Sequence, residues 1–575
     1  MNPLPHGFAL GAAEAAVRDR LQQLESSSFA ARLWAHDDAL WGGDPARRKV
    51  AASRLGWLES PAAMRDLIEP LEAFAREARR DGLTHAVLLG MGGSSLAPEV
   101  LRRTFGAAHD ALDLTVLDST SPAAVRAVDS SHDPAKTLFV VSSKSGGTLE
   151  VNSFERHFWS RTSAAVGARQ AGRQFVAITD SGTALERLAA ERGYRRTFIN
   201  PGDIGGRYSA LSYFGLVPAA LIGMDVTALV EHALEEAAAS HVAVNGGAVP
   251  SGYVLGAALG ELARRGRDKL TFVLGPELAA FASWAEQLLA ESTGKEGKGI
   301  VPIAEEHVGL PDVYGDDRAF AAFSVHPLPA DVEAALDALA AAGHPVLRWR
   351  LRELAALGAE FLRWEIATAT AGAILGIDPF DEPNVTEAKQ ATQAVLEREQ
   401  HGEQPHAIDA PSPKVDVPEL IARELTATAG RRRDPAALAA ALVTLAKPGD
   451  YFAVLAYVHR TPARHDRLQR LRHAARGVSR LATTLGYGPR FLHSTGQLHK
   501  GGPPTGIFLQ LTADDGPDVA IPDRPFSFGQ LIQAQAAGDY EVLERRGRRV
   551  LHVHLGNQPE KLIDEIADAL AAVRV

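Results

Sequence analysis

Two hydrophobic patterns alternate along the chain. Residues 1–75 place Ala and Leu at helical spacing among Arg and Glu, with turns near 42–45 and 59–61, and predict a helical N-terminal segment. Short apolar runs then begin: THAVLLG (84–90), LDLTVLD (112–118), TLFVVSS (137–143) and QFVAITD (174–180). Helical stretches separate them, one starting near 97 and one around 122–128. This alternation predicts a doubly wound parallel sheet. A helical, Gly-containing stretch covers about 225–265, and a second cycle follows it. KLTFVLG (269–275) is a strand, FASWAEQLLAES (281–292) its helix, GIVPIAE and HPVLRWRL further strands, and about 354–376 a long helix. YFAVLAYV, RFLHSTG, GIFLQLT and VLHVHLG predict more strands, and 526–556 reads as a helix, a polar turn and a strand that complete the second sheet.

The expected architecture is therefore α/β, with two doubly wound parallel-sheet lobes in tandem. Its parts are a helical segment (1–75), a first lobe (76–225), a helical connector (226–264) and a second lobe (265–575). Residues 401–420, rich in Pro and charge, predict an exposed connector inside the second lobe.

Composition narrows the function. At 575 residues with 46% apolar, the chain can build several cores, which excludes disorder as its main state. Sixty basic against 70 acidic residues give a net charge of −10, the wrong sign for a protein that grips nucleic acid through its overall field. The short patches Arg431–Arg433 and Arg545–Arg549 lack interleaved aromatics and read as solvated faces. With no cysteine, disulfides, thiolate zinc sites, Fe–S clusters and cysteine nucleophiles are excluded. No basic stretch precedes an apolar run at the N-terminus, and no run of 18 apolar residues occurs. The expectation is a soluble cytoplasmic protein with neither a nucleic-acid nor a membrane partner.

Three loops at predicted strand ends carry candidate chemistry, since ligands of parallel α/β sheets sit at the strands' carboxyl ends. Gly90-Met91-Gly92-Gly93-Ser94-Ser95 lets backbone approach a ligand and opens a helix N-terminus, though alone it also fits a tight strand–helix turn. Ser142-Ser143-Lys144-Ser145-Gly146-Gly147-Thr148 offers hydroxyls, a lysine and glycines, a set suited to a phosphate dianion as well as to a Ser-rich cap. Asp203-Ile204-Gly205-Gly206-Arg207-Tyr208-Ser209 can bring a guanidinium from a tight turn onto an oxyanion, or expose it as a surface arginine.

GMGGSSLAP, SSKSGGT, GGRYSALSYFG, AESTGKEGKG and FDEPNVTEAKQ occur in this order between about residues 85 and 390. Together they resemble the glucose-6-phosphate isomerase family, which is built on sugar-isomerase (SIS) domains. The resemblance implies SIS-type lobes, a sugar-phosphate substrate, a homodimer, and no metal or cofactor. It also implies interconversion of glucose 6-phosphate and fructose 6-phosphate by ring opening and proton movement between C2 and C1 through a cis-enediol. By the same resemblance Glu291 is the base, and Arg207 stabilises the enediolate and blocks phosphate loss. Ser143, Ser145 and Thr148 supply phosphate hydroxyls around the Lys144 backbone, Gly93 and Ser94 line the sugar site, and Lys389 assists ring opening. Gly146 and Gly147 replace threonine-type residues common in the family. Glu382 replaces a common glutamine, and a carboxylate close to Glu291 would raise the pKa of one of the two.

The family's ring-opening histidine lies in a segment like H-x-x-x-Q-L-x-H-x-G between the base and the lysine. Here His307, His326 and His344 lie in that interval, none in such a setting, whereas RFLHSTGQLHKGG lies downstream. This makes His499 the expected ring-opening group and His493 the runner-up. The arrangement looks closer to the isomerase part of bifunctional transaldolase/phosphoglucose isomerase chains, with no room for a transaldolase barrel. Rival readings are a related isomerase of mannose or amino-sugar phosphates and a non-catalytic SIS-type sensor; Glu291, Arg207 and Lys389 together favour catalysis.

Overall fold

The computed structural model describes residues 4–241, 251–401, 414–416 and 434–573. Among these described residues, fifteen strands form three five-stranded sheets. The first strand, β1 (Phe8–Ala9), belongs to the second sheet. The first sheet contains β2 (His85–Gly90), β3 (Asp113–Leu117), β4 (Thr137–Ser142), β5 (Phe175–Asp180) and β6 (Arg196–Asn200), in the order β3-β2-β4-β5-β6 and all parallel. Every residue of β4, TLFVVS, is buried, because helices cover both faces of a parallel sheet and remove the in/out alternation.

The second sheet adds β7 (Lys269–Leu274), β8 (Val301–Ile303), β9 (Arg318–Ser324) and β10 (Val346–Arg350) in the order β1-β10-β9-β7-β8, with only β1 antiparallel. The parallel α/β class expected from the sequence is what the chain adopts. The C-terminal strands, however, do not complete the second sheet as expected. With β11 (Lys414–Asp416), β12 (Tyr451–Tyr457), β13 (Ala482–Tyr487), β14 (Gly506–Thr512) and β15 (Arg549–His554) they build a third, ordered β11-β15-β14-β12-β13. The second sheet is already closed at one edge by β1, and the third has its own core of Phe452, Val454, Leu468, Leu509, Val553 and Ile563.

RFLHSTG, expected as a strand, is not one. The strand is the preceding β13, and Arg490–His493 is a 3-10 turn followed by a short helix, Gly496–Gly501. Pro489 has no N–H to give a ladder, and Phe491 folds back over Gly486, where an added Cβ would lie 3.0 Å from the Phe491 Cβ and 3.2 Å from its ring. Of the expected connector 401–420, residues 402–413 and 417–420 lie outside the described residues, as does Arg431–Arg433. In the other basic patch, Arg546 pairs with Glu387 at 2.6 Å and Arg549 with Asp450 at 2.6 Å, while Arg548 donates to the Lys500 and Gly502 carbonyls.

Helices join the lobes. Leu357–Leu375 is buried along almost its whole length, and Phe528–Arg545 packs Phe528 and Leu531 against Phe139, Phe154 and Val141 of the first lobe. Among the described residues no helix is long and apolar enough to cross a membrane.

Candidate active site

The site begins at the carboxyl ends of the first sheet's central strands. After β2, the Gly93 backbone lies against the Gly206–Arg207 turn so closely that a Cβ on Gly93 would sit 2.0 Å from the Gly206 carbonyl oxygen. Gly92, with φ of 55°, is pressed likewise against His493 and Gln287. These two glycines let three separate segments meet, with buried Ser94 next to them.

Arg207 is buried and held by five partners. Its Nε donates to Ser292 Oγ at 2.8 Å, and its Nη2 donates to the carbonyls of Pro379 (2.7 Å) and Asp381 (2.9 Å). Its Nη1 faces two carboxylates, Glu291 Oε1 at 3.3 Å and Glu382 Oε2 at 3.2 Å. Burial works against its charge, but Glu291 and Glu382 more than offset that, so the guanidinium is held cationic. Glu382, on which the sequence was silent as to direction, thus faces the site.

Glu291 lies near the end of the Phe281–Thr293 helix with 10% of its side chain exposed. Burial pushes its carboxyl above the usual range; Arg207 opposes this and Glu382 adds to it. One turn earlier, Gln287 Nε2 donates both to Glu291 Oε2 (2.9 Å) and to the His493 carbonyl (2.7 Å). Gln287 therefore ties the carboxylate to the histidine segment of the third lobe.

The His493 Nε2 lies 3.0 Å from Glu150 Oε1, and Gln535 Nε2 donates to the same oxygen at 2.7 Å. Burial works to raise the Glu150 pKa, but the His493 interaction, with smaller help from Lys389, holds it below the usual range. This carboxylate stays ionised and orients the imidazole. His499 lies elsewhere: it is 2% exposed, its Nδ1 is 2.9 Å from the Tyr451 hydroxyl, and Phe491 and Phe508 pack against its ring. Burial, together with Lys500 and Arg548, depresses its pKa well below the ordinary histidine value. The geometry therefore favours His493, the runner-up, over His499: His493 lines the cavity, whereas the His499 ring is walled in by aromatics.

A cavity of about 330 Å³ opens beside the Glu150–His493 pair, of a size suited to a small ligand. Its wall includes Gly147 and Thr148 of the loop after β4, Lys389 and Ala388 of the Pro383–Gln400 helix, and Arg524. The Leu149–Val166 helix starts at this wall, so its N-terminal end faces the cavity. Ser143 Oγ and Thr148 Oγ1 are 3.1 Å apart, and Ser145 is exposed beside them. The Lys144 amine turns away to pair with Asp180 and donates to the Gly202 carbonyl at 3.1 Å, leaving its backbone in the loop.

The structure thus brings together Gly93, Ser94, Arg207 and Glu291, and beside them Thr148 and Lys389; His499 is left out. Sequence reasoning missed Gln287, Glu150 and Gln535. Two of these carry a local signal: Gln287 lies four residues before Glu291 on one helical face, and Glu150 sits in the first turn of the helix that follows the hydroxyl-rich loop.

The family model for phosphoglucose isomerase matches residues 58–299. The glucose-6-phosphate isomerase of Rubrobacter xylanophilus is 32% identical over 398 residues, 60% of this chain and 89% of that protein. That of Thermus thermophilus is 30% identical over 402 residues, covering 61% and 94%. Among solved structures, the hypothetical protein TT0462 from Thermus thermophilus superposes with a TM-score of 0.57 at 26% identity, over 69% of this chain and all of that one. With relatives of this identity aligned over most of their own length and a site built on the same motifs, the chain belongs to the phosphoglucose isomerase family.

Proposed function

We propose that this enzyme interconverts glucose 6-phosphate and fructose 6-phosphate by ring opening followed by proton transfer between C2 and C1. The observation that carries the reading is one connected set. A buried carboxylate, Glu291, shares a guanidinium and is tied through Gln287 to a histidine–carboxylate pair beside a hydroxyl-lined cavity. Cytoplasmic action on this soluble substrate is part of the proposal.

The loop around Ser143, Ser145 and Thr148, with the helix N-terminus behind it, takes the phosphate. Gly93 and Ser94 line the sugar site. His493, oriented by Glu150, moves the proton between the ring oxygen and the anomeric hydroxyl; Lys389 steadies the developing alkoxide. Glu291 then removes the C2 proton and returns it to C1. Its raised pKa suits this task, because a base that must also give the proton back works best near neutrality. Arg207 stabilises the negative charge that develops on the enediolate oxygens.

The test is turnover of fructose 6-phosphate in D2O, followed by NMR. Glucose 6-phosphate with deuterium at C2 is the expected product. No turnover, or mannose 6-phosphate as the main product, refutes the reading.

A further inference from the structure

The second and third sheets share one topology. Numbered by their order in the chain, the parallel strands of each run 4-3-1-2 across the sheet, an order the first four strands of the first sheet also follow; what the second and third alone have is a short antiparallel strand from an earlier segment beside strand four, where the first sheet has parallel β6. The two lobes also meet through equivalent elements. Strand two of each, β8 and β13, forms the facing edge, where Val301, Ile303 and Ala482 share one core. The helix after strand one in the second lobe, Phe281–Thr293, sends Gln287 to the carbonyl of His493, in the loop after strand two of the third. Its counterpart, Pro462–Ser479, sends Arg476 to the carbonyl of His307, in the loop after strand two of the second, at 2.6 Å. Such reciprocity is the mark of an isologous, two-fold contact, the kind that pairs identical subunits. The boundary is permanent in character: across it, fully buried Arg318 donates to the Leu481 carbonyl at 3.2 Å, Thr483 Oγ1 donates to buried Glu306 at 3.2 Å, and Arg472 donates to the Ala304 carbonyl at 2.8 Å.

We propose that the third lobe is a covalently attached structural counterpart of the second that fills the place of a partner subunit, so that a single chain completes a single isomerase site. The two halves have diverged in chemistry. Four residues beyond Gln287 stands Glu291; four residues beyond Arg476 stands Arg480, so the second half of the pair has no base. The second lobe gives Glu291 and the third gives His493, with Arg207 and Glu150 coming from the first. Covalent linkage presents the third lobe at an effective concentration on the order of millimolar, which favours pairing within the chain at enzyme concentrations. The homodimer implied by the family resemblance is then not needed for activity.

This inference rests on the roles given above to Glu291 and His493, and its tests separate the two. If wild-type enzyme turns over, Glu291→Gln and His493→Ala chains are co-expressed and assayed together. Activity no greater than the sum of the separate variants is expected. A rise towards about a quarter of wild type, the statistical yield when lobes exchange between two chains, overturns the proposal. A second readout does not depend on activity. The chain has no cysteine, so Glu305→Cys with Gln469→Cys places the only two thiols on either side of the boundary, where Gln469 now donates to Glu305 at 3.3 Å. A short bismaleimide should bridge them within one chain, leaving the single-chain mass of 61.2 kDa on a denaturing gel. A doubled mass, or no bridge, overturns the proposal.

Discussion

Replacing Glu382 by glutamine removes one of two negative charges from the Arg207 guanidinium and leaves the shape nearly unchanged. Both carboxylates sit on the same nitrogen, Glu291 at 3.3 Å and Glu382 at 3.2 Å, so their oxygens lie within ~6.5 Å of each other. At an effective dielectric of about 20 that repulsion is worth about 2.5 kcal/mol. The Glu382 side chain is 41% exposed, and water screening reduces the figure to about 1 kcal/mol. The sign follows directly. Repulsion from Glu382 raises the Glu291 pKa, so Glu382→Gln lowers it. Glu291 must be ionised to take the C2 proton, and the acid limb of the kcat/KM profile should therefore move down. The variant keeps more of its activity below neutrality than wild type does. Initial rates of glucose 6-phosphate formation from pH 5 to 9 measure this. An acid limb that stays in place, or moves up, refutes the electrostatic reasoning.

Glu291→Gln should lower kcat by about 10³-fold or more while KM changes only a few-fold, because the amide keeps the shape and loses the base; steady-state kinetics decide it. Glu150→Gln should slow turnover of the cyclic substrate by about 10–100-fold yet leave C1 deuterium exchange of an open-chain analogue nearly unchanged, since it acts through His493. Gly93→Ala would drive a Cβ into the Gly206 carbonyl, and it should cost about 1–3 kcal/mol of stability and, by shifting Arg207, about 10²-fold in kcat/KM, read by thermal melts and kinetics. His499→Phe should leave kcat within a few-fold but flatten the acid side of the stability curve. In wild type the buried ring stays neutral, so its contribution is full above the unfolded pKa near ~6.5 and is lost as pH falls below it; Tm against pH for the two proteins shows the difference.

The strands that sequence reveals are those whose burial is two-sided. β2, β4, β5 and β7 read as continuous apolar runs because neither face meets water. β6 escapes notice because its pattern mixes one buried phenylalanine with exposed Arg196 and Ile199, the character of an edge strand. β9, RAFAAFS, carries three alanines and so lacks the β-branched signature, although all seven residues are buried. Which sheet a strand joins is a different kind of question. Local pattern records how a segment is buried but not which neighbour buries it, and β12 to β15 carry the same apolar signature in a third sheet as they would in a second. The repeated 4-3-1-2 order is likewise a property of pairing between distant segments, invisible to any short window.

The histidine shows the same limit at the scale of the site. His493 and His499 both lie in the segment that carries the resemblance, six residues apart, and spacing alone does not separate them. Environment does. His493 is three hundred and more residues from Glu150 in the chain, yet its ring meets that carboxylate at 3.0 Å beside the cavity, whereas His499 meets Tyr451, Phe491 and Phe508. A histidine moves protons at neutral pH only if its charged form is tolerated. The ionised Glu150 lies beside the His493 ring at the cavity and fixes its orientation there. Burial without a counter-charge forbids the charged form for His499. The net charge of the chain has no bearing on this balance. A chain ten charges negative overall can still offer a site for an anion, because Lys389, Arg524 and a helix N-terminus line one cavity, where local fields outweigh a screened global one.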